Sequence, residues 1–362
     1  MPATHILPFR RQNRWGFRRV TDGAILVPAS YSSASRFSEG VGVAEEGQIS
    51  FDEQYNAWYN AIVFIDERGV VMGRVAKAIT YSQFSDGLIV FERDGLAGYA
   101  MPNGQEVISA QFEIASSFVD GIARASLPGA RLFGLIDKTG RWIVKPKYDE
   151  ILDFTRGEPC TAAKLPGGAG WVLLNRDGRR RLKQTFYSLK WVSEGVVAFR
   201  AETRNGLLYG LMTIDGDLVL EPRFTNCDDR VQDGLLAAEI DNGGWGVVDQ
   251  KGGWIIQPIY TSMGGYSQGL FLTYRGGHRR LDYTLEGGKF GFLNRQGETV
   301  IPFQFDGAMN FEDGYATVDF FKEECPALRG EPCDVNHEEE TAFVNPSGQL
   351  FWLDIDHESR QK

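Results

Sequence analysis

The chain has 362 residues, a formal net charge of −10, 43 glycines, 14 prolines, four cysteines and four histidines. An apolar fraction of 43% supports a packed core and excludes disorder, and glycine well above the usual ~7% with ordinary proline excludes collagen and Pro/Gly-rich low-complexity sequence. No uninterrupted apolar run approaches the ~18 residues of a spanning helix, so membrane insertion is not expected.

Taking the chain from its start, residues 1–20 carry five arginines and no acid, whereas residues 310–362 carry 13 acids against four bases. Phosphate binding needs clustered Lys/Arg, so nucleic acid is not an expected partner, and an acidic surface favours a basic protein instead. Met1–Phe9 has no apolar stretch of secretory length, and cysteines at 160, 227, 325 and 333 are too sparse for a disulfide framework. A cytoplasmic protein is expected.

Beyond the N-terminus the chain repeats itself. Phe133-Gly134-Leu-Ile-Asp137-Lys-Thr-Gly140-Arg-Trp-Ile-Val-Lys-Pro146-Lys-Tyr148-Asp149 recurs as Trp245-Gly246-Val-Val-Asp249 through Pro258-Ile-Tyr260, and again from Phe290-Gly291 to Pro302-Phe-Gln-Phe305-Asp306. Tyr209-Gly210 through Pro222-Arg-Phe224 is a fourth copy, and weaker ones at Trp15-Gly16, Val63-Phe64, Gly98-Tyr99, Trp171-Val172 and Ala342-Phe343 bring the total to nine. Units start near 15, 62, 97, 133, 171, 209, 245, 290 and 342. A second glycine closes each of the first eight units: Glu39-Gly40, Asp86-Gly87, Asp120-Gly121, Arg156-Gly157, Glu194-Gly195, Asp233-Gly234, Gln268-Gly269 and Asp313-Gly314, always 17 or 18 residues after the turn glycine. Constant spacing of this kind marks a tandem array, so residues 1–362 are expected to form one continuous domain.

These motifs resemble the WG (KWG) repeat family of bacterial proteins, whose unit runs W-G-apolar-apolar-D-x-x-G, V-I-x-P-x-[YF]-D, F-x-[DE]-G-L-A; the resemblance covers about residues 8–354. It implies a β-strand repeat and no shared catalytic motif.

Within a unit, two apolar runs flank Asp137-Lys-Thr-Gly140 and predict a β-hairpin, its Asp capping the turn and its Gly supplying positive φ. Proline at 28, 146, 222, 258 and 302 cannot donate to a ladder and belongs where the strand leaves the sheet or on its edge. The Phe-x-[DE]-Gly segment opens a third strand that pairs with the following WG strand. The expected fold is all-β: about nine three-stranded antiparallel WG-type repeats stacked in an open curved array, with a closed propeller-like ring as the alternative. The WG aromatic and the Tyr or Phe after the proline are expected core residues between units.

Only the connection from the closing glycine to the next WG pair varies in length, and it is long three times, at 44–60, 273–288 and 319–340. Such insertions are where a repeat protein places binding specificity. The first offers Tyr55, Trp58 and Tyr59 beside carboxylates, although Trp58 and Tyr59 also fit the start of the next strand. The second is basic, with Arg279 and Arg280, and reads equally as a solvated hairpin tip. The third carries Glu323, Glu324, Glu338 and Glu339 together with Cys325, Cys333 and His337, which lack the short C-x2–4-C pairing of zinc sites. No metal or cofactor is expected.

No nucleophile motif such as G-x-S-x-G occurs, and the recurring carboxylates before the closing glycines are expected to shape turns; a negative ladder along one edge is the other reading of them. The expectation is a non-enzymatic scaffold that binds a basic protein through one-sided insertions, for example an immunity or adaptor protein. The alternative is a carbohydrate or cell-envelope binding module.

Overall fold

The computed structural model describes residues 5–51, 57–240, 244–280, 284–321 and 339–354. Their strands form nine small antiparallel sheets, and each of the nine WG-type positions lies in a different sheet. Contacts divide the chain into two compact units, one built mainly on Thr4–Arg223 and the other on Gln232–Lys362.

The fourth sheet shows how a unit is built. Its strands are Ile114–Ala115, Ile122–Ser126, the WG strand Phe133–Asp137 and the proline strand Trp142–Tyr148, ordered as in the sequence. The expectation of three strands is corrected here: five sheets have four strands, and the second sheet has five. In most units, one residue after the Tyr or Phe that ends a proline strand, the chain turns and contributes a two-residue opening strand to the next sheet, as in Glu150–Ile151 paired with Ala163 and Lys164. Two residues carry no hydrophobic period, so this strand leaves no trace in the pattern.

Turn chemistry fixes the two tight hairpins of each sheet. Asp137 Oδ1 accepts the amides of Thr139 at 2.8 Å and Arg141 at 3.1 Å, while Gly140 closes the turn at φ 81°. Asn294 and Asn345 do the same in the last two sheets. At the carboxylate–glycine pair, both Asp120 (φ 49°) and Gly121 (φ 82°) are left-handed, and Val119 and Ile122 bond to each other across them. This is the two-residue primed turn that an Asp-Gly hairpin favours.

The WG glycine answers a different need. Between Phe133↔Tyr148 and Leu135↔Val144 the register slips by two residues, so the proline strand bulges opposite Gly134. A Cβ on Gly134 would collide with the carbonyl oxygen of Val144, and one on Gly210 would lie 2.6 Å from that of Leu220. Proline sits inside the bulge, where its missing N–H leaves no ladder bond unmade.

Core clusters each draw on two successive sheets. Tyr99, Ile108 and Phe112 of the third pack with Phe118, Ala125 and Ile136 around the fourth, and Phe292, Ile301 and Phe305 of the eighth pack with Ala316, Val318 and Val344 of the ninth. The Phe of the Phe-x-[DE]-Gly segment is the knob: Phe37, Phe84, Phe118 and Phe311 meet Phe17, Phe64, Tyr99 and Phe292, the residues just after the WG glycine or its equivalent, with ring centroids 4.6–5.2 Å apart. Of the expected core rings, Tyr31, Phe112, Tyr148, Phe224 and Phe305 are buried, whereas Trp15, Phe133, Trp171, Tyr209 and Phe290 are only half-buried.

Candidate functional site

The two ends of a sheet differ in kind. At one end lie the two tight turns, and here successive sheets are tied together. Glu39 Oε2 accepts the amide of Gly87 at 2.7 Å, Asp86 Oδ2 that of Gly121 at 2.6 Å, Asp120 Oδ2 that of Gly157 at 2.7 Å and Gln268 Oε1 that of Gly314 at 2.8 Å. Where the carboxylate is replaced by Arg156, the following Glu158 takes its place on Gly195 at 3.1 Å. The freed arginine bridges Asp86 at 2.9 Å and Asp120 at 3.3 Å, and Arg176 reaches Asp120 at 2.9 Å. These carboxylates do form a ladder between sheets, but it is spent on amides and balanced by cations within the fold.

The opposite end carries the connection from the second strand to the WG strand, and here lengths and chemistry vary. Among the described residues, three clefts lie at this end: about 310 Å³ beside Ser126 and Phe133, about 550 Å³ beside Phe199 and Tyr187, and about 700 Å³ between the hairpin end of the seventh sheet and the eighth. The eighth sheet extends here as a ribbon, Leu270–Arg279 against Leu285–Asn294, paired as far out as Arg279 and Leu285.

That ribbon places Arg279 at the cleft of about 700 Å³. Its Nη1 lies 3.4 Å from Glu239 Oε1 of the seventh sheet, and its guanidinium stands 5.9 Å above the ring centroid of Trp245. Both ion-pair partners are well covered, at 25% and 14% exposure, so screening by water is reduced. Tyr260, also lining the cleft, stacks on Phe303 at 6.3 Å, and Arg275 covers the far ring at 5.8 Å. Arg280 pairs with Glu286 at 3.1 Å.

In the first insertion, Tyr59 belongs to the strand Ala57–Asp66 and is half-buried, and the backbone of Trp58 lies in the same strand, opposite Ser50. Tyr59 helps cover Glu45, whose carboxyl burial holds above the ordinary value of 4.5 against hydrogen bonds from Ser33, the Thr80 amide and the Tyr59 hydroxyl. Tyr55, Glu323, Glu324, Glu338, Cys325, Cys333 and His337 lie outside the described residues; Glu339 enters as backbone of the strand Glu339–Val344, opposite Phe321. Among the described residues no three His, Cys, Asp or Glu side chains gather as a metal site. Cys160 is free and buried, its thiol pushed up to about 11 by loss of solvent.

Glu239, Trp245 and Tyr260 were absent from the expected site. Each sits in an ordinary repeat position, and only the pairing of a long ribbon with the sheet before it gives them a role. The signal available was the ribbon itself: an arginine near the tip of a lengthened hairpin must meet the corresponding hairpin of a neighbour.

No curated protein matches the chain. Among solved structures it is similar to AztD from Citrobacter koseri (12% identity, 97% of this chain and 94% of that one, TM-score 0.41) and Hsv2 from Kluyveromyces lactis (9%, 79% and 95%, 0.40). It is also similar to BamB from Moraxella catarrhalis (11%, 74% and 90%, 0.37). The family model of the WG containing repeat matches residues 98–127, 133–164, 245–277 and 290–319, running each time from a WG strand into the second strand of the next sheet or the hairpin beyond it. Over these four regions the chain is built of WG-containing repeats.

Proposed function

We propose that this protein is a non-enzymatic scaffold that binds another protein through the hairpin end of its sheets. The observation that carries this reading is the contrast between the two ends. The tight-turn end keeps constant lengths and uses its polar groups internally, whereas the hairpin end holds every long connection and the three clefts described above. A surface that varies on a rigid repeated frame is the usual seat of specificity. The net charge of −10 favours a basic partner through long-range steering, and an immunity or adaptor role is the concrete form of the proposal.

The test replaces residues 44–60 and 319–340 separately by short linkers and compares partner recovery on the immobilised protein. Loss of recovery with either replacement supports the reading. Equal recovery by both variants and the parent would reject it.

A second reading, a carbohydrate or cell-envelope binder, draws on Tyr81 and Tyr187, which are 84% and 64% exposed. Binding on a glycan array that disappears in Tyr81→Ala or Tyr187→Ala, with no protein partner recovered, would put this reading first.

A further inference from the structure

The cleft at the eighth-sheet ribbon has a chemistry of its own. Where the ribbon leaves its sheet, Gly276 faces Gly288 and is flanked by Gly277 and Gly287, and three of the four have positive φ: 78° at Gly276, 60° at Gly277 and 80° at Gly287. A Cβ on Gly277 would strike the carbonyl oxygen of Glu286, and one on Gly288 would lie 2.6 Å from the carbonyl oxygens of Arg275 and Gly276. Side chains are excluded from this crossing, and beyond it stand His278, Arg279 and Arg280.

Among the described residues these basic side chains are poorly matched by acid. His278 and Arg280 share Glu286, at 3.8 and 3.1 Å, and among the described residues Arg275 meets the ring of Phe303 but no carboxylate. Among the described residues Arg279 has a single side-chain hydrogen bond, a long one of 3.4 Å to one oxygen of Glu239, although a guanidinium carries five donors and pairs best with a carboxylate through two bonds of about 2.7–2.9 Å. A largely covered arginine with most of its donors unused among the described residues, its guanidinium over an indole at 5.9 Å and lining a cleft, is prepared for an incoming planar anion. The walls of the cleft suit a peptide around that anion: Ile259 is 73% exposed at the rim, beside Pro258 and Tyr260.

We infer that this cleft binds a carboxylate-bearing peptide segment, with Arg279 as the anchor of the carboxylate and Glu239 as an internal stand-in that the ligand displaces. The inference rests on the reading of the hairpin end as a protein-binding surface and adds the sign of one part of it: the ribbon takes an acidic segment, even though the chain as a whole is acidic. Because Glu239 competes for the same guanidinium, its charge opposes binding.

The experiment titrates the full chain with acetylated, amidated hexaglutamate, with hexalysine capped in the same way, and with inorganic phosphate, following tryptophan emission and heat at low salt. Hexaglutamate is expected to bind, hexalysine and phosphate to bind this cleft far more weakly. Arg279→Gln is expected to weaken hexaglutamate by about tenfold, the loss of one charge-assisted bidentate contact, and Arg179→Gln, an exposed arginine of the fifth sheet, to leave it unchanged. Glu239→Gln is expected to tighten it by about threefold or more. Circular dichroism checks each variant; should Arg279→Gln not fold, the sign of the Glu239→Gln change decides alone. Absence of hexaglutamate binding, equal affinity in folded Arg279→Gln, phosphate binding as tight as the peptide, or weaker binding by Glu239→Gln would each overturn the assignment. None of these results bears on whether residues 44–60 or 319–340 are needed to recover a partner, so the two readings fail separately.

Discussion

The carboxylate of Asp120 accepts the backbone N–H of Gly157, 37 residues away, at 2.7 Å, and takes the guanidinium of Arg176 at 2.9 Å. Asp120 therefore does two jobs. Its backbone occupies the first left-handed position of its own turn, and its side chain fixes the turn of the next sheet. Neighbouring sheets are thus coupled by polar contacts at their tight-turn end as well as by the apolar core between them.

Removing this acceptor leaves the Gly157 amide and two cations short of a partner. Asp120→Ala is expected to lower stability by about 1–2 kcal/mol in urea unfolding, with faster amide exchange at Gly157. Asp120→Asn, which keeps an oxygen for the amide, should lose less.

Gly134 and Gly121 separate two reasons for glycine. Gly134→Ala drives a methyl group into the Val144 carbonyl at the bulge, and an expected loss of about 1–3 kcal/mol follows. Gly121→Ala has open space around it and pays only for φ 82°, about 1 kcal/mol. Thermal melts of the two variants should rank them in that order; the reverse order would contradict the bulge as the origin of the WG motif.

Glu45 gives a pH dependence with a definite sign. Loss of solvent raises its carboxyl in the folded state above 4.5. The stability that the protonated group contributes is complete below the unfolded value and is lost as pH rises through the folded one. Glu45→Gln should therefore melt with the parent near pH 4 and above it at pH 7, the gap opening as pH increases.

Asp137 runs the other way. The Thr139 hydroxyl, followed by the amides of Thr139 and Arg141, holds its carboxyl below 3.8, so its contribution is present above that value and lost as pH falls through the folded one. Asp137→Ala is expected to cost about 1 kcal/mol at neutral pH, with parent and variant converging in acid. Melting curves between pH 2 and pH 7 measure both effects.

Much of this architecture was legible in the sequence because it depends on residues close together. The Asp137 turn, the Asp120-Gly121 pair and the proline at 146 each act within a few residues, and their fixed spacing gave the number of units. The opening strands, such as Glu150–Ile151, were not legible, since two residues show no period. Nor were contacts that join one sheet to the next. Glu39 meets Gly87 and Arg279 meets Glu239 across roughly one unit of chain, and nothing local distinguishes Glu239 from other carboxylates of the second strands. The knob role of Phe118 was missed for the same reason: its partner Tyr99 lies in the preceding sheet.

The bulged proline strand has a further consequence. It is the outermost strand of most of the sheets, and it turns Ile143, Ile255 and Val300 toward solvent, each at 38–43% exposure. A straight strand with that row of β-branched side chains would be a template for another molecule to add onto. A proline without an N–H, placed in a kink that breaks the register, denies an incoming strand the continuous hydrogen-bonding line it needs. The same few residues that let the WG glycine fit against its neighbour also make the outer strand of each such sheet a poor template for a further strand.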